Sequence, residues 1–232
     1  MDATLLSAVA AGDRKALSRA ISHAEAGEAV GELTTLQTIV GFTGPPGVGK
    51  STLIAAAIDR IRANGETVAV LAVDPSSPIT GGAILGDRIR MQTHVDDDGV
   101  FVRSMATRGH LGGLAVAAAD TVRLMGHAGF DRLIVETVGV GQSEVEIMNL
   151  ADHVVLVVGP SWGDQVQADK AGILEIADLF VINKADRPGV SDVKQALTET
   201  ADARGAEIVV TTAIQGEGVN ELLGAIARLD DP

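Results

Sequence analysis

Residues Gly44 to Ser51 read GPPGVGKS and match the spacing G-x-x-x-x-G-K-[ST]. This spacing builds a nest for a polyphosphate. Glycines let the main-chain N–H groups of Gly47, Val48 and Gly49 turn inward, and a helix opening at Lys50, Ser51 and Thr52 adds the positive end of its dipole. Lys50 then reaches the β and γ phosphates, and Ser51 offers its hydroxyl to Mg²⁺. A glycine-proline turn with an incidental lysine is the plainer reading. It is the poorer one, because an apolar strand-like run precedes the loop and a helical run follows it.

Asn183, Lys184 and Asp186 lie in NKAD, directly after the apolar run LFVI. In the N-K-x-D pattern the aspartate accepts hydrogen bonds from the ring N1–H and exocyclic amine of guanine, donors that adenine does not offer there. Four residues alone would fit a capped turn as well. Their place after the phosphate loop, at the carboxyl end of a later strand, favours base reading. Thr212 and Ala213 end EIVVTTA, where a backbone N–H would meet guanine O6.

Between these lies ETVG, residues 136–139, a [DE]-x-x-G element. Glu136 is expected to approach Mg²⁺ through water, and the Gly139 N–H to meet the γ phosphate. Asp74 ends TVAVLAVD and Asp87 lies in PSSPITGGAILGD; with Ser51 and Glu136 they would complete an oxygen shell of the kind Mg²⁺ takes. Asp74 before Pro75 also suits a turn, and Asp87 also suits the cap of a helix starting at RIRM. The catalytic set expected is therefore Lys50, Asp87, Glu136 and Gly139. Val140 stands where Ras-like enzymes carry the glutamine that orients water, and Gln142 comes two positions later. Slow hydrolysis in isolation follows, with a partner or a rearranged loop completing the site.

These groups need a scaffold, and the chain supplies a regular one. Leu5, Leu6 and Val9 form one apolar stripe, Gly12 breaks it, and Asp13 is placed to cap a second helix bearing Leu17, Ile21 and Ala24. Residues 27–37 read as a connection. From Thr38 onward, apolar runs alternate with helices expected from Lys50, from about Gly113, and over Asp164–Ala177, Asp192–Arg204 and Asn220–Leu229. Strands apolar throughout and separated by helices imply an α/β fold with a mostly parallel sheet covered on both faces. The expected division is a helical extension over 1–37 and a three-layer P-loop GTPase domain over 38–232.

Composition narrows the function classes. With 232 residues and 46% hydrophobic content, one large core is within reach. No run approaches the roughly 18 to 20 apolar residues of a membrane helix. An acidic residue stands near the start where an export signal would be basic, so a cytoplasmic protein without membrane attachment is expected. The absence of cysteine excludes disulfides and thiolate metal sites. A formal charge of −13 with no basic stripe argues against nucleic acid as a partner. A local nest of amides still outweighs that distant charge for a nucleotide.

Taken together, AAGDRKALSRAIS (10–22), GFTGPPGVGKSTL (41–53), VDPSSPITGGAILGDRIRM (73–91), RSMATRGHLGGLA (103–115), ETVGVGQSE (136–144) and NKAD resemble the MeaB/ArgK/MMAA-type GTPases. These are G proteins that chaperone adenosylcobalamin-dependent acyl-CoA mutases. The resemblance implies a GTP/GDP-switched protein that binds such a mutase, gates cofactor transfer from an adenosyltransferase and helps expel damaged cofactor. It implies Mg²⁺ and switch roles for Lys50, Ser51, Asp74, Asp87 and Glu136. The family's third mobile loop corresponds to Gly159–Lys170, with Lys170 as a nucleotide-state contact. Gln165 stands where the family more often has Glu. Relatives usually continue into a helical dimerisation arm past the last helix, whereas this sequence stops at LDDP. The expectation is a monomer, or a homodimer that pairs without that arm. The mutase need not be methylmalonyl-CoA mutase itself.

Three other readings compete. A metal-delivering GTPase of the same class needs Cys or clustered His, which the sequence lacks. An ATPase linked to amino-acid transport conflicts with Asp186. A nucleotide-dependent interaction module with incidental hydrolysis shares every motif. Arg108 and His110, in RGHLGG, fit either a contact role or an ordinary loop, and Trp162 fits a partner contact or a loop aromatic.

Overall fold

Each apolar run forms a strand of four to seven residues, the length suited to burial on both faces. The computed structural model describes residues 1–31, 33, 37–74, 94, 96–106, 111–137, 148–160, 162 and 171–230. Within them lie β1 (Ile39–Thr43), β2 (Val68–Asp74), β3 (Val100–Ala106), β4 (Arg132–Thr137), β5 (His153–Val158), β6 (Leu179–Ile182) and β7 (Glu207–Val210). The sheet order is β3-β2-β4-β1-β5-β6-β7. Every pairing is parallel.

The helices are α1 (Ala3–Ala10), α2 (Arg14–Glu25), α3 (Lys50–Ala63), α4 (Leu111–His127), α5 (Ala171–Ile176), α6 (Val190–Arg204) and α7 (Val219–Leu229). A 3₁₀ turn spans Ala213–Gln215. Asp13 caps α2 as its position suggests, accepting from the N–H groups of Lys15 and Ala16 at 2.8 and 3.1 Å. Asp2 does the same for α1 through Thr4. Helix α4 starts at Leu111, two residues before the expected glycine, and α5 begins at Ala171 within the range expected for it.

Alternate residues of each strand face opposite layers. Val40 and Phe42 of β1, with Val155 and Val157 of β5, meet Leu53, Ile54 and Ile58 of α3 and Leu222 of α7. On the other face, Leu71, Leu133 and Val135 share a cluster with α4 and with Val9, Leu17, Ala20 and Ile21 of the first two helices. Leu17 and Ile21 are fully buried, and each such side chain contributes roughly 1.5–3 kcal/mol. Residues of α1 and α2 are thus built into the same core as the sheet.

A third cluster holds Leu156, Val158, Phe180 and Ile182 against α5 and α6. Trp162 belongs to it and is 3% exposed, so of its two expected roles the structure fits a loop aromatic, one that is buried in the core. Among the described residues no helix is long and apolar enough to cross a membrane.

Parallel registration brings the carboxyl ends of the strands to one edge. Phe42 lies beside Glu136, Val73 beside Thr137, Val158 beside Ile182, and Ile182 beside Val210. The carboxyl ends of β1, β4, β6 and β7 therefore share one edge of the sheet, where ligands of open α/β sheets bind.

Candidate functional site

The phosphate loop leaves β1 at Thr43 and enters α3 at Lys50. Gly49 adopts φ +96°, and a Cβ there would lie 2.6 Å from Asn183 Nδ2, so backbone and neighbour both demand glycine. Lys50 is 4% exposed, and its ammonium donates to the carbonyls of Gly44 and Pro45 at 2.8 and 3.0 Å. A buried cation needs such partners, and phosphate oxygens at the same mouth would be stronger ones.

One residue further on, Ser51 Oγ donates to Glu136 Oε1 at 2.8 Å. Both are buried, at 5% and 1% exposure. Thr137 Oγ1 donates to Thr43 Oγ1 at 3.1 Å and ties the ends of β4 and β1 together. Asp74 closes β2 at the same sheet edge. Among the described residues no cluster of three or more His, Cys, Asp or Glu gathers at metal-holding distance. Mg²⁺ in nucleotide sites does not need one, because it keeps waters and takes one or two carboxylates plus phosphate oxygens. The hydroxyl of Ser51 and the carboxylate of Glu136, converging beside the phosphate loop, fit that donor set. The side chain of Asp74, and the whole of Asp87, Gly139, Val140, Gln142, Arg108, His110, Gln165 and Lys170, lie outside the described residues.

The second half of the site follows β6 and β7. Asn183 is 2% exposed and its amide joins three segments. Nδ2 donates to the Val48 carbonyl at 3.0 Å, while Oδ1 accepts from Thr211 Oγ1 at 3.0 Å and from the Ala213 N–H at 3.1 Å. Lys184 has φ +63°, a left-handed conformation unusual outside glycine. Its ammonium donates to the Gly47 carbonyl at 2.5 Å, so its stem spans from this turn to the phosphate loop. The Ala185 N–H donates to Thr211 O at 3.1 Å, which anchors the turn carrying exposed Asp186. Thr212 donates its N–H to Glu217 O at 3.1 Å.

A small cleft of about 80 Å³ is left between these parts, bounded by Gly49, Thr52, Lys184, Asp186, Ala213 and Ile214 among others. The phosphate-loop residues and the NKAD residues, more than 130 positions apart, are therefore brought together. Two contributors escaped the sequence reading. Thr211 supports Asn183, and Ile214 borders the cleft; the signal for Ile214 was a large apolar residue leading into the turn QGEG.

Comparison with known proteins places the chain in context. The family model described as methylmalonyl Co-A mutase-associated GTPase MeaB matches residues 14–231. A protein named as a GTPase in Pyrococcus horikoshii is 49% identical over 228 residues, covering 91% of this chain and 72% of that protein. The mouse methylmalonic aciduria type A homolog, a mitochondrial protein, is 38% identical over 193 residues, covering 79% of this chain and 46% of that one. Among solved structures, an LAO/AO transport system kinase superposes with TM-score 0.74 at 26% identity, covering 98% of this chain and 74% of the other.

Proposed function

We infer the function from one premise: the chain belongs to the family of methylmalonyl-CoA mutase-associated GTPases, MeaB, and is a GTP hydrolase. Beyond that premise, we propose that it is a nucleotide-gated chaperone of an adenosylcobalamin-dependent acyl-CoA mutase. In this reading its GDP and GTP forms bind the mutase differently, and that difference controls loading and repair of the cofactor. Residues 1–37 serve as a helical extension of a GTPase domain over 38–232, and the protein works in the cytoplasm.

One observation carries the guanine-nucleotide part: the Asn183 amide, which binds the phosphate loop at Val48 and the base-reading turn at Ala213. The triphosphate lies along the amides of Gly47, Val48 and Gly49, and Asp186 reads the base edge, with the Ala213 N–H near guanine O6. Lys50 exchanges its carbonyl partners for β and γ phosphate oxygens and stabilises charge that develops as the terminal bond breaks. Ser51, Asp74, Asp87 and Glu136 would hold Mg²⁺, which when bound neutralises charge on the β and γ oxygens. Gly139 donates its N–H to the γ phosphate.

Valine at position 140 cannot orient a water molecule, which is why hydrolysis is slow until the mutase is present. The experiment measures GTP turnover alone and with candidate acyl-CoA mutases, and follows complex formation in GDP and in a non-hydrolysable GTP analogue. One mutase should raise turnover by about tenfold or more, a small part of the roughly 10³–10⁵ that a group supplied in trans contributes in related GTPases, and bind differently in the two nucleotides. Unchanged turnover and nucleotide-independent binding with every candidate would overturn the chaperone reading.

A further inference from the structure

An open sheet ends in strands whose outer main-chain groups must meet solvent or a partner. Among the described strands β7 is one such end. Thr211 gives its N–H to Ile182 O at 2.9 Å and accepts from the Ala185 N–H at 3.1 Å, so by alternation the odd-numbered residues of β7 turn toward β6. The N–H and C=O of Ile208 and the N–H of Val210 then point the other way. The chain itself closes two further groups on that side. The Ala206 N–H donates to Ala201 O at 2.9 Å, and the Val210 carbonyl lies against the Gly218 backbone, where an added Cβ would fall 2.2 Å from its oxygen.

This edge is one wall of a groove of about 750 Å³, and the other wall is α7, through Glu221, Gly224 and Arg228. Proteins usually blunt an edge strand with proline, a bulge or an unpaired charge. Residues 206–210 contain no proline, and their one charge, Glu207, is held by Arg228 in two bonds of 2.9 and 2.8 Å. Among the described residues, none that bounds this groove also bounds the cleft at Asp186.

Both walls are self-complementary under a two-fold axis. Turned antiparallel about Ile208, two copies of β7 exchange both bonds between their Ile208 residues. The Val210 N–H of each copy then meets the open Ala206 carbonyl of the other, and neither closed group is needed. On α7, Glu221 and Arg228 are seven residues apart and so share a face, with Gly224 near their midpoint. Antiparallel copies set Glu221 of one beside Arg228 of the other at both ends, and the central glycine lets the helices approach closely. An unrelated peptide would pair with the strand alone and make no use of this charge order.

We propose that the groove between β7 and α7 is the contact face of a homodimer, in which the sheets of two copies of this chain join edge to edge. The pairing does not depend on the chaperone reading. It leaves the cleft of each copy open, because that cleft lies at the carboxyl ends of the strands.

Analytical ultracentrifugation of the full chain over about 1–100 µM, which brackets the micromolar dissociation of a modest interface, reads the association. Wild type should pass from monomer to dimer across the range. Glu221→Arg sets two positive charges against each other at each end of the helix pair, and Arg228→Glu sets two negative ones. Each variant alone should therefore weaken association at least about tenfold. An equimolar mixture of the two restores opposite charges at both ends and should recover most of the wild-type association. Gly224→Glu should also stay monomeric while remaining folded by thermal melting, because the nearest atom to an added Cβ is Arg228 Nη1 at 3.5 Å and glutamate suits a helix better than glycine. A wild-type chain that is monomeric throughout the range would overturn the pairing. So would a dimer that both charge variants leave unchanged, or one that mixing the variants fails to restore.

Discussion

Replacing Asn183 with alanine removes one amide from the junction between two binding segments, and its cost follows from the geometry. Three short hydrogen bonds are lost, to Val48 O, Thr211 Oγ1 and the Ala213 N–H, all at 3.0–3.1 Å, with a longer one to Gly49 O at 3.5 Å, around a side chain that is 2% exposed. At a net value of about 1 kcal/mol each, with partners stranded away from water, the loss is about 3 kcal/mol or somewhat more. For a chain of this length each kcal/mol lowers the melting temperature by about 2–4 °C, so a drop of roughly 6–12 °C is expected. Calorimetric melting of the nucleotide-free protein measures it. Asp186→Ala is the control: the residue is exposed, so its melting temperature should stay close to wild type while nucleotide binding is lost. If Asn183→Ala melts within about 2 °C of wild type, the amide does not join the two segments and the carrying observation fails.

The remaining predictions use other parts of the fold. Asp186→Asn should weaken GTP and favour xanthosine triphosphate, because the donor and acceptor pattern at that base edge inverts; competition titrations read the preference. Gly44→Ala should destabilise the protein by about 1–3 kcal/mol and abolish nucleotide uptake, since φ is +141° and a Cβ would fall 2.0 Å from the Val157 carbonyl oxygen. Asp131 is held below the usual carboxylate range, first by the Thr67 N–H and then by its hydroxyl. A depressed folded-state pKa contributes stability above the unfolded value, and that contribution is lost as pH falls through the folded one. Asp131→Asn should therefore lower the melting temperature at pH 7, and the difference should shrink as pH falls below the ordinary carboxylate range and through the lowered folded-state value; parallel melting curves check the sign.

What was legible in the sequence was what is encoded locally. The phosphate loop is a contiguous pattern of eight residues, the Asp13 cap works within three positions of itself, and the strands show as apolar runs because parallel strands are buried on both faces. The order β3-β2-β4-β1-β5-β6-β7 was not legible, since it depends on pairings between distant segments. The role of Asn183 as a junction was hidden for the same reason: its Val48 partner is 135 positions away. The burial of Trp162 was not legible because PSWGD reads as a polar loop, whereas that side chain joins the cluster between α5, α6, β5 and β6.

In the proposed function one crevice selects guanine at Asp186 and holds phosphate at Lys50. Titration calorimetry of the purified chain with GTP and with ATP, each in Mg²⁺, tests it most directly. The prediction is GTP binding at least about a hundredfold tighter than ATP, a floor below the roughly 10⁴-fold reached where such edge groups are buried. Equal uptake of the two nucleotides, or uptake of neither by the folded protein, would contradict it.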